Sequence, residues 1–291
     1  MLILISDAFD HSLPDTLTKF GEVTDDKSRI AEAEVVLIRS KTKVTKEYIN
    51  LAQNLKLIIR GGVGLDNVDR EYASARGIAV HNTPAASAIA VAECAFTLMI
   101  GITNHVGRAD SAMREGKWIK KELKRTELYK KTLGIIGLGR IGTELAKRGV
   151  AFGMTVIAYD PFVGNSEYAE MKPEIKDVLN ISDYVSLHLP LIDSTKGVIN
   201  SETLKEFKDG SFLINTGRGK TIVEEDVADA LKSGKLAGFG NDVWYSDPPE
   251  FNPFADLPNV LMMPHLGAST KENLLRIGEI VENIISEYVN N

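Results

Sequence analysis

Hydrophobic residues in the first part of the chain occur in short β-branched runs, separated by longer stretches with helical spacing. The short runs predict four strands: LILIS at 2–6, VVLI at 35–38, LKLII at 55–59 and IAV at 78–80. Helical patterns lie between them at 45–53 and 68–77. Strands that alternate with helices are typical of parallel sheets. This part of the chain is therefore predicted to be one small α/β unit.

From about Ala88 the same alternation resumes on a larger scale. The apolar stretch at 88–102 predicts a buried helix, because Glu93 interrupts it and it is too short to cross a bilayer. Six further strands are predicted: TLGIIG at 132–137, TVIAY at 155–159, YVSLH at 184–188, SFLIN at 211–215, AGFGND at 237–242 and NVLMMP at 259–264. These elements form a second, larger α/β domain.

The segment from Lys271 onward has its apolar residues on one helical stripe and acidic residues on the opposite face. The stripe consists of Leu274, Ile277, Ile280, Val281, Ile284 and Ile285. This pattern predicts an amphipathic helix. The residues alone allow it to pack on either domain.

Composition and charge narrow the class of protein. Hydrophobic residues make up 44% and charged residues 25%, which indicates a globular chain and excludes a disordered, fibrous or membrane protein. The net charge of -6 argues against general nucleic-acid binding. The opening MLILISDAF has a short apolar run with no basic residue before it, so we expect a strand and no signal peptide. The one cysteine, Cys94, cannot form an intrachain disulfide, and we expect a cytoplasmic protein.

A glycine-rich turn follows the predicted strand at 132–137 and precedes a helical pattern. Its glycines, Gly137, Gly139 and Gly142, have the spacing G-x-G-x-x-G. In this motif the first glycine permits a tight turn, the second lets a pyrophosphate approach the backbone, and the third lets helix and strand pack closely. The helix N-terminus supplies free N–H donors to the phosphates. The sequence therefore predicts a dinucleotide site.

The strand TVIAY ends in Asp160, eighteen residues after Gly142. A carboxylate at this distance is typical of a residue that binds the adenosine ribose. The following PFVGNS contains no arginine or lysine for a 2′-phosphate, so we expect NAD rather than NADP.

Polar residues follow most of the predicted strands directly. Ligands of doubly wound sheets bind beyond the carboxyl ends of the strands, so these residues are candidates for one site. They are Arg39, Ser40 and Lys41; Arg60 with Gly61, Gly62, Val63 and Gly64; Thr216, Gly217 and Arg218; Asp242; and His265.

A nicotinamide-dependent oxidoreductase that acts on an alcohol needs a base for the hydroxyl proton and a cation for a neighbouring carboxylate. His265 is the candidate base, since it follows Pro264 at the end of a strand. A carboxylate that is hydrogen-bonded to this imidazole would orient it and favour its protonated form. We assign this role to Asp247, with Glu250 as the alternative.

Five segments together resemble the NAD-dependent D-2-hydroxyacid dehydrogenase family, and its phosphoglycerate dehydrogenase branch in particular. The segments are RGGVGLDNVD at 60–69, HNTPAASAIAVAE at 81–93, LGIIGLGRIG at 133–142, INTGRGKTIVEE at 214–225 and PHLGAST at 264–270. The resemblance covers essentially the whole chain. One difference is that Asp247 stands where the family usually has glutamate, one methylene longer.

This resemblance implies two doubly wound parallel-sheet domains, with the active site in the cleft that separates them. A flavodoxin-like substrate-binding domain would comprise 1–86 plus 268–291, so that the closing helix returns to it. A Rossmann NAD-binding domain would comprise 87–267. The helix that begins near Ala88 resembles the family's dimer-forming helix, which implies a homodimer through the nucleotide-binding domain. This chain ends after the closing helix, without the extra regulatory domain that many phosphoglycerate dehydrogenases carry, so we expect no serine feedback site.

The resemblance also implies the members of the site. Predicted catalytic residues are Arg218, which holds the substrate carboxylate and the developing oxyanion, together with Asp247 and His265. The predicted cofactor-binding residues are Gly137, Gly139, Arg140, Ile141, Gly142, Asp160, His188, Pro190, Thr195, Thr216 and Asp242. The predicted substrate-binding residues are Arg39, Ser40, Lys41, Gly62, Val63, Gly64 and Ser87. No metal is expected.

Arg39, Ser40 and Lys41 resemble the residues that hold the phosphate in phosphoglycerate dehydrogenases, and two cations with a hydroxyl suit a phosphate. The expected substrate is therefore 3-phosphoglycerate, and the expected pathway is serine biosynthesis. Reduction of glyoxylate or hydroxypyruvate is the alternative activity. An alternative of another class is an NAD-sensing binding protein similar to the C-terminal binding protein corepressors, in which the cofactor controls assembly.

Overall fold

The computed structural model describes residues 1–290 and has two compact units. The first unit comprises Met1–Ala88 and the segment from Ala268 onward, and the second comprises Ile89–Gly267. In chain order, the first unit contains β1 (Leu2–Ile5), α1 (Leu13–Leu17), β2 (Glu22–Thr24), β3 (Val35–Ile38), α2 (Lys46–Leu51), β4 (Leu57–Arg60), α3 (Arg70–Ala75) and β5 (Ala79–Asn82). Single 3₁₀ turns lie at Thr18–Phe20 and Lys27–Arg29.

The second unit begins within the long helix α4, directly after its first residue. Its elements are α4 (Ala88–Thr103), α5 (Val106–Arg114), β6 (Thr132–Ile136), α6 (Arg140–Ala151), β7 (Thr155–Tyr159), β8 (Glu170–Met171), α7 (Ile175–Leu179), β9 (Tyr184–Leu187), α8 (Ser201–Lys205), β10 (Ser211–Asn215), α9 (Glu224–Ser233), β11 (Leu236–Asn241) and β12 (Val260–Met262). Lys120–Glu122 and Gly219–Thr221 form 3₁₀ turns. The closing helix is α10 (Lys271–Asn290).

The five strands of the first unit form one parallel sheet in the order β2-β1-β3-β4-β5. Every residue of β1 and β3 is buried, which explains why these strands read as continuous apolar runs. Because β3 and β4 are neighbours, Arg39 and Arg60 come at the same carboxyl edge of this sheet.

The closing helix α10 packs on the first unit. Its Ile277, Val281 and Ile285 are fully buried in a core cluster with Ile3 and Leu13. The apolar stripe of α10 therefore packs on the first unit and not on the second, a placement that the helical pattern by itself did not determine.

The second unit has a seven-stranded parallel sheet in the order β12-β11-β10-β9-β6-β7-β8. Asn215, Asn241 and Met262 are aligned across β10, β11 and β12. The segments that follow these three strands therefore leave the sheet side by side. The prediction of two doubly wound α/β domains is confirmed.

Two strands of the structure were not predicted. β2 has three partly or fully exposed residues, and β8 has only two residues. Both lie at sheet edges, where a strand needs no apolar pattern because one side pairs with a neighbour and the other faces solvent. Their hydrophobic pattern therefore gives no signal.

Helix α4 is apolar for most of its length and belongs largely to the core of the second unit. Among residues 1–290 no single helix is long and apolar enough to span a membrane; α4 and α5 reach that composition only as a pair bent by 62°. Cys94 lies on α4 with its Sγ atom 3.7 Å from Met263 Sδ. Burial, together with the nearby Asp242 carboxylate, raises the pKa of this thiol to about 12. Cys94 is therefore an unreactive packing residue at neutral pH.

Candidate active site

The glycine turn joins β6 to α6 in the second unit. Gly137 has a φ of +95°, and a Cβ atom there would lie 2.6 Å from the carbonyl oxygen of His188. Gly139 is the N-cap of α6, and nothing lies within 4 Å of the position of its missing Cβ. A Cβ at Gly142 would lie 2.3 Å from the carbonyl oxygen of Gly137. The turn thus leaves open space directly in front of the N–H groups that begin α6, which suits a pyrophosphate.

Replacement of Gly142 by alanine is expected to lower the affinity for NAD at least about tenfold, because the methyl group would push the turn away from α6. The measurement is a titration of NADH fluorescence, with thermal unfolding as a check of the fold. Gly164→Ala is the matched control, since a Cβ there meets nothing within 4 Å. Equal affinity for NADH in the Gly142→Ala and Gly164→Ala variants would contradict this account of the turn.

Asp160 follows β7 and faces the glycine turn. Its Oδ2 atom accepts a hydrogen bond from the Leu138 N–H at 2.8 Å, and Oδ1 accepts one from the Phe162 N–H at 2.9 Å. Each carboxylate oxygen has a second lone pair, so the side chain can still accept hydrogen bonds from a ribose. Asp160 thereby fixes the glycine turn. Its contact with the ribose stays a prediction.

Two buried polar atoms face the carboxyl end of this sheet without a partner among the described residues. They are Nδ1 of His188, directly after β9, and Oγ1 of Thr216, directly after β10. The other ring nitrogen of His188, Nε2, is 2.9 Å from Ser186 Oγ. Burial lowers the pKa of His188 to about 4, so the ring is neutral at physiological pH. A bound polar ligand would satisfy both orphaned atoms, and this supports a cofactor site at the edge.

The remaining predicted cofactor residues lie around the same edge. Arg140 is exposed in the first turn of α6, and Ile141 beside it is partly buried. Pro190 is exposed after β9. The Thr195 hydroxyl donates to the Pro190 carbonyl at 2.6 Å and accepts from the Ile192 N–H at 3.0 Å, so it stabilises a turn of its own loop. The cofactor contacts of these residues stay predictions.

Arg218 lies three residues after β10, in a turn that Asn215 holds. The Asn215 side chain donates to the Arg218 carbonyl at 3.1 Å and accepts from the Gly217 N–H at 3.1 Å. The Thr221 hydroxyl donates to the same Arg218 carbonyl at 2.7 Å. Arg218 Nη1 in turn donates to the Gly217 carbonyl at 2.8 Å. The sequence reading did not identify Asn215, which is fully buried and fixes the backbone that carries the guanidinium.

Asp242, directly after β11, holds the turn that carries His265. Its Oδ1 atom accepts from the Leu266 N–H at 2.7 Å, and Oδ2 accepts from the Gly267 N–H at 2.8 Å. Burial raises the pKa of Asp242, while these hydrogen bonds and the nearby His265 oppose the shift. This contact was not predicted, and the role of Asp242 in cofactor binding stays a prediction.

His265 and Asp247 form a hydrogen-bonded pair through His265 Nδ1 and Asp247 Oδ2. This contact leaves Nε2 of the same ring as the atom available for proton exchange. His265 has a φ of +55°, which is uncommon for a residue other than glycine and is maintained here by the Asp242 contacts on the next two residues. The N–H of Glu250, the alternative carboxylate, donates to Ser246 Oγ at 3.2 Å. The Asp247 side chain thus reaches the imidazole, although it is one methylene shorter than a glutamate.

The predicted substrate loop lies in the first unit, after β4. The Gly62 N–H donates to the Thr83 hydroxyl at 2.8 Å, and the Thr83 N–H donates to the Gly62 carbonyl at 3.0 Å. Asn82 donates from its side chain to the Val63 carbonyl at 2.5 Å. These contacts fix the backbone ahead of Gly64. Neither Asn82 nor Thr83 was identified from the sequence.

Ser87 is fully buried, and its hydroxyl has no hydrogen-bond partner within residues 1–290. Arg39 is half-buried at the end of β3, whereas Ser40 and Lys41 are exposed. The roles of these four residues in substrate binding stay predictions.

Residues 96–267, more than half of the chain, match the family model described as D-isomer specific 2-hydroxyacid dehydrogenase, NAD binding domain. The chain belongs to the D-isomer specific 2-hydroxyacid dehydrogenase family. This dehydrogenase is an NAD-dependent oxidoreductase, and both predictions are confirmed.

Individual relatives of this dehydrogenase carry different names. It is 46% identical over 262 residues to the hydroxypyruvate reductase of Thermotoga maritima, covering 89% of this chain and 86% of that protein. It is 39% identical to the D-3-phosphoglycerate dehydrogenase of Methanocaldococcus jannaschii, covering 99% of this chain but only 57% of that longer protein. Its structure is similar to that of a D-lactate dehydrogenase from Aquifex aeolicus in complex with NAD and lactic acid, with a TM-score of 0.88, 28% identity and coverage of 100% and 96% of the two chains.

Proposed function

We propose that this dehydrogenase transfers hydride between C2 of D-3-phosphoglycerate and NAD. The choice of a phosphorylated substrate rests on the guanidinium of Arg39, which is partly buried and poorly paired. Its Nε atom is buried without a hydrogen-bond partner, and no carboxylate within residues 1–290 forms an ion pair with its guanidinium. Burial lowers the pKa of Arg39, and the charge of the nearby Asp7 carboxylate opposes the shift without reversing it, because burial leaves the charged side chain incompletely solvated. An anionic group on the substrate would supply the missing partner, and a phosphate is the anion that the proposal assigns.

His265 is the acid/base of the proposed reaction. In the oxidative direction Nε2 removes the proton from the C2 hydroxyl, while Asp247 at Nδ1 orients the ring and stabilises the imidazolium that forms. In the reductive direction the same nitrogen returns the proton to the carbonyl oxygen. The pair resembles other acid/base arrangements in which a carboxylate fixes the tautomer of a histidine.

Arg218 holds the substrate carboxylate in a bidentate fashion and stabilises the charge that develops on the C2 oxygen. The N–H groups of Val63 and Gly64 are proposed as further donors to this carboxylate. Bound NAD⁺ supplies the hydride acceptor, with the glycine turn, Asp160, His188 and Thr216 as the residues that would hold it. The orphaned atoms of His188 and Thr216 fit this assignment.

Hydroxypyruvate reduction is the second candidate, and the 46% identity to a protein of that name favours it. Glyoxylate reduction stays a further alternative of the same chemistry. The corepressor-like binding function is not favoured, because the His265–Asp247 pair is complete and an assembly switch has no need of an acid/base pair. A role in serine biosynthesis follows only from the proposed substrate, and the cytoplasmic location follows only from the cysteine usage and the opening segment of the sequence; both stay predictions.

The substrate assignment predicts a specific order of reactivity. With NADH, 3-phosphohydroxypyruvate is expected to give a kcat/KM at least about tenfold above that of hydroxypyruvate, since a charge-assisted contact with the phosphate is typically worth that much. Glyoxylate is expected to be slower still. The measurement is the loss of NADH absorbance with each 2-keto acid at equal enzyme concentration.

The control for this order is Arg39→Gln, which should bring the kcat/KM of the phosphorylated substrate close to that of hydroxypyruvate. A wild-type enzyme that reduces hydroxypyruvate faster than its phosphorylated form would overturn the assignment in favour of the second candidate. Tight NADH binding without turnover of any keto acid would instead favour a binding protein.

We also propose that two copies associate through the second unit. Val106 and Met113 on α5 and Trp118 after it are exposed apolar side chains, and exposed apolar surface of this kind is typical of subunit contacts. Light scattering should therefore give about twice the chain's mass of 31.9 kDa, and Met113→Glu with Trp118→Glu should give the single-chain mass. A wild-type protein that is monomeric at micromolar concentration would refute this proposal.

A further inference from the structure

The turn Arg39–Thr42 follows β3 and has no regular secondary structure. It carries the three residues that we propose for the phosphate of the substrate, and Ser40 and Lys41 are exposed. A short surface segment of this kind normally samples many conformations, and a ligand that binds it must supply the free energy to order it.

Asp7 holds this turn from one side. It follows β1, the neighbour of β3 in the sheet. Its Oδ2 atom accepts hydrogen bonds from the N–H groups of Arg39 at 2.7 Å and Thr42 at 3.1 Å, and Oδ1 accepts one from the Thr42 hydroxyl at 2.7 Å. The two ends of the turn are therefore joined through a single carboxylate.

Asn67 holds the same turn from the other side. Its Nδ2 atom donates to the carbonyl of Arg39 at 2.7 Å and to the carbonyl of Thr42 at 2.6 Å. The backbone of Asn67 is tied to the end of the turn, because its carbonyl accepts from the Val44 N–H at 2.8 Å. The backbone N–H and carbonyl groups of Arg39 and Thr42 are thus all engaged within the first unit.

Asp7 makes its hydrogen bonds to the turn and none to the guanidinium of Arg39, on which its charge acts only through space. Burial raises the pKa of Asp7, but the hydrogen bonds from Thr42 and Arg39 outweigh it, so the pKa is lowered and the carboxylate stays an acceptor. The Arg39 guanidinium makes only a long contact, 3.4 Å from Nη1 to the Ala8 carbonyl, within the described chain. The backbone of the turn is fixed while the cation is left for an external anion.

We infer that Asp7 is a positioning residue that determines specificity for a phosphorylated substrate, because it orders the Arg39–Thr42 turn before the substrate binds. This inference rests on the proposed function. Asp7 acts through the turn and does not touch the substrate. Its effect should therefore appear in the binding of the phosphorylated substrate and not in the chemical step.

The experiment compares 3-phosphohydroxypyruvate with hydroxypyruvate for four variants. Asp7→Ala removes all three hydrogen bonds, and the KM for the phosphorylated substrate should rise about tenfold, with kcat and the kinetics of hydroxypyruvate unchanged within about twofold. Asp7→Asn should restore most of the loss, because its amide oxygen can accept from both N–H groups and its NH₂ can donate to Thr42. Asp10→Ala is the matched control in the same loop, since within residues 1–290 the Asp10 carboxylate accepts hydrogen bonds from Ser12 alone and its loss should leave both substrates unchanged.

Thr42→Val, the fourth variant, keeps the shape of the turn and removes a single bond to Asp7, so a rise in KM of about threefold is expected. It decides the question if Asp7→Ala does not fold, which circular dichroism will show. Equal effects on both substrates, or no effect on either, would overturn the inference. If Arg39→Gln abolishes the preference for the phosphorylated substrate and Asp7→Ala keeps it, the inference alone fails. If the wild-type enzyme has no such preference, the proposed function fails and the inference fails with it.

Discussion

Replacement of His265 by alanine is expected to lower kcat by a factor of about 10² to 10⁴, the usual contribution of a positioned general acid or base. The imidazole is the group that would exchange a proton with the C2 oxygen, and its other nitrogen is already bound to Asp247. Without the ring, the proton must move to or from water. The affinity for NADH should stay within about twofold, because His265 is not among the residues that we assign to the cofactor.

The measurement combines steady-state turnover with a fluorescence titration of NADH. His11→Ala serves as the control, because His11 is 91% exposed in the first unit and should leave both quantities unchanged. A variant without His265 that keeps more than about half of the wild-type kcat would refute the acid/base role. A loss of NADH affinity equal to the loss of kcat would assign His265 to cofactor binding instead.

Replacement of Arg218 by glutamine is expected to lower kcat/KM by about 10² to 10³, the usual effect of removing one group that stabilises a developing oxyanion. Glutamine keeps a polar side chain of similar length but loses the charge and the forked pair of donors. Arg218→Lys should recover only a small part of the activity, since an ammonium cannot bind a carboxylate in the bidentate geometry. Arg70→Gln, an exposed arginine on α3, is the control.

The test for Arg218 is the split between KM and kcat. Loss in both parameters is expected if the guanidinium holds the carboxylate and also stabilises the transition state. A higher KM at unchanged kcat would limit Arg218 to substrate binding. Full recovery by lysine would contradict the bidentate contact.

The sequence predicted the structure correctly wherever a structural requirement is met by residues that are close together in the chain. The apolar runs of β1 and β3 are buried on both faces, so they appear as continuous hydrophobic segments. Gly137 is required because the turn has a positive φ there, and Gly142 is required because its Cα lies against the carbonyl oxygen of Gly137. Both requirements arise within six residues of chain. The edge strands β2 and β8 lack such a requirement and were not predicted.

The partners of the candidate catalytic residues depend on contacts between distant segments. Asn215 positions Arg218 from a short distance along the chain, but Asp242 reaches the turn after His265 across 24 residues, and Asp7 reaches Thr42 across 35. An aspartate has no sequence pattern that tells which N–H groups it will accept from. The same holds for Thr83 at Gly62.

By itself, the sequence determined the two parallel-sheet domains and the dinucleotide turn, because hydrophobic spacing and glycine placement act over a few residues. It also gave the candidate histidine and arginine, because each lies in the segment that directly follows a predicted strand. The tertiary structure alone decided that Asp247 and not Glu250 pairs with His265, that α10 packs on the first unit, and that Asp7 and Asn67 hold the Arg39–Thr42 turn. The reason is physical: a hydrogen bond forms between atoms about 3 Å apart, and only the folded sheets bring the ends of separate strands that close.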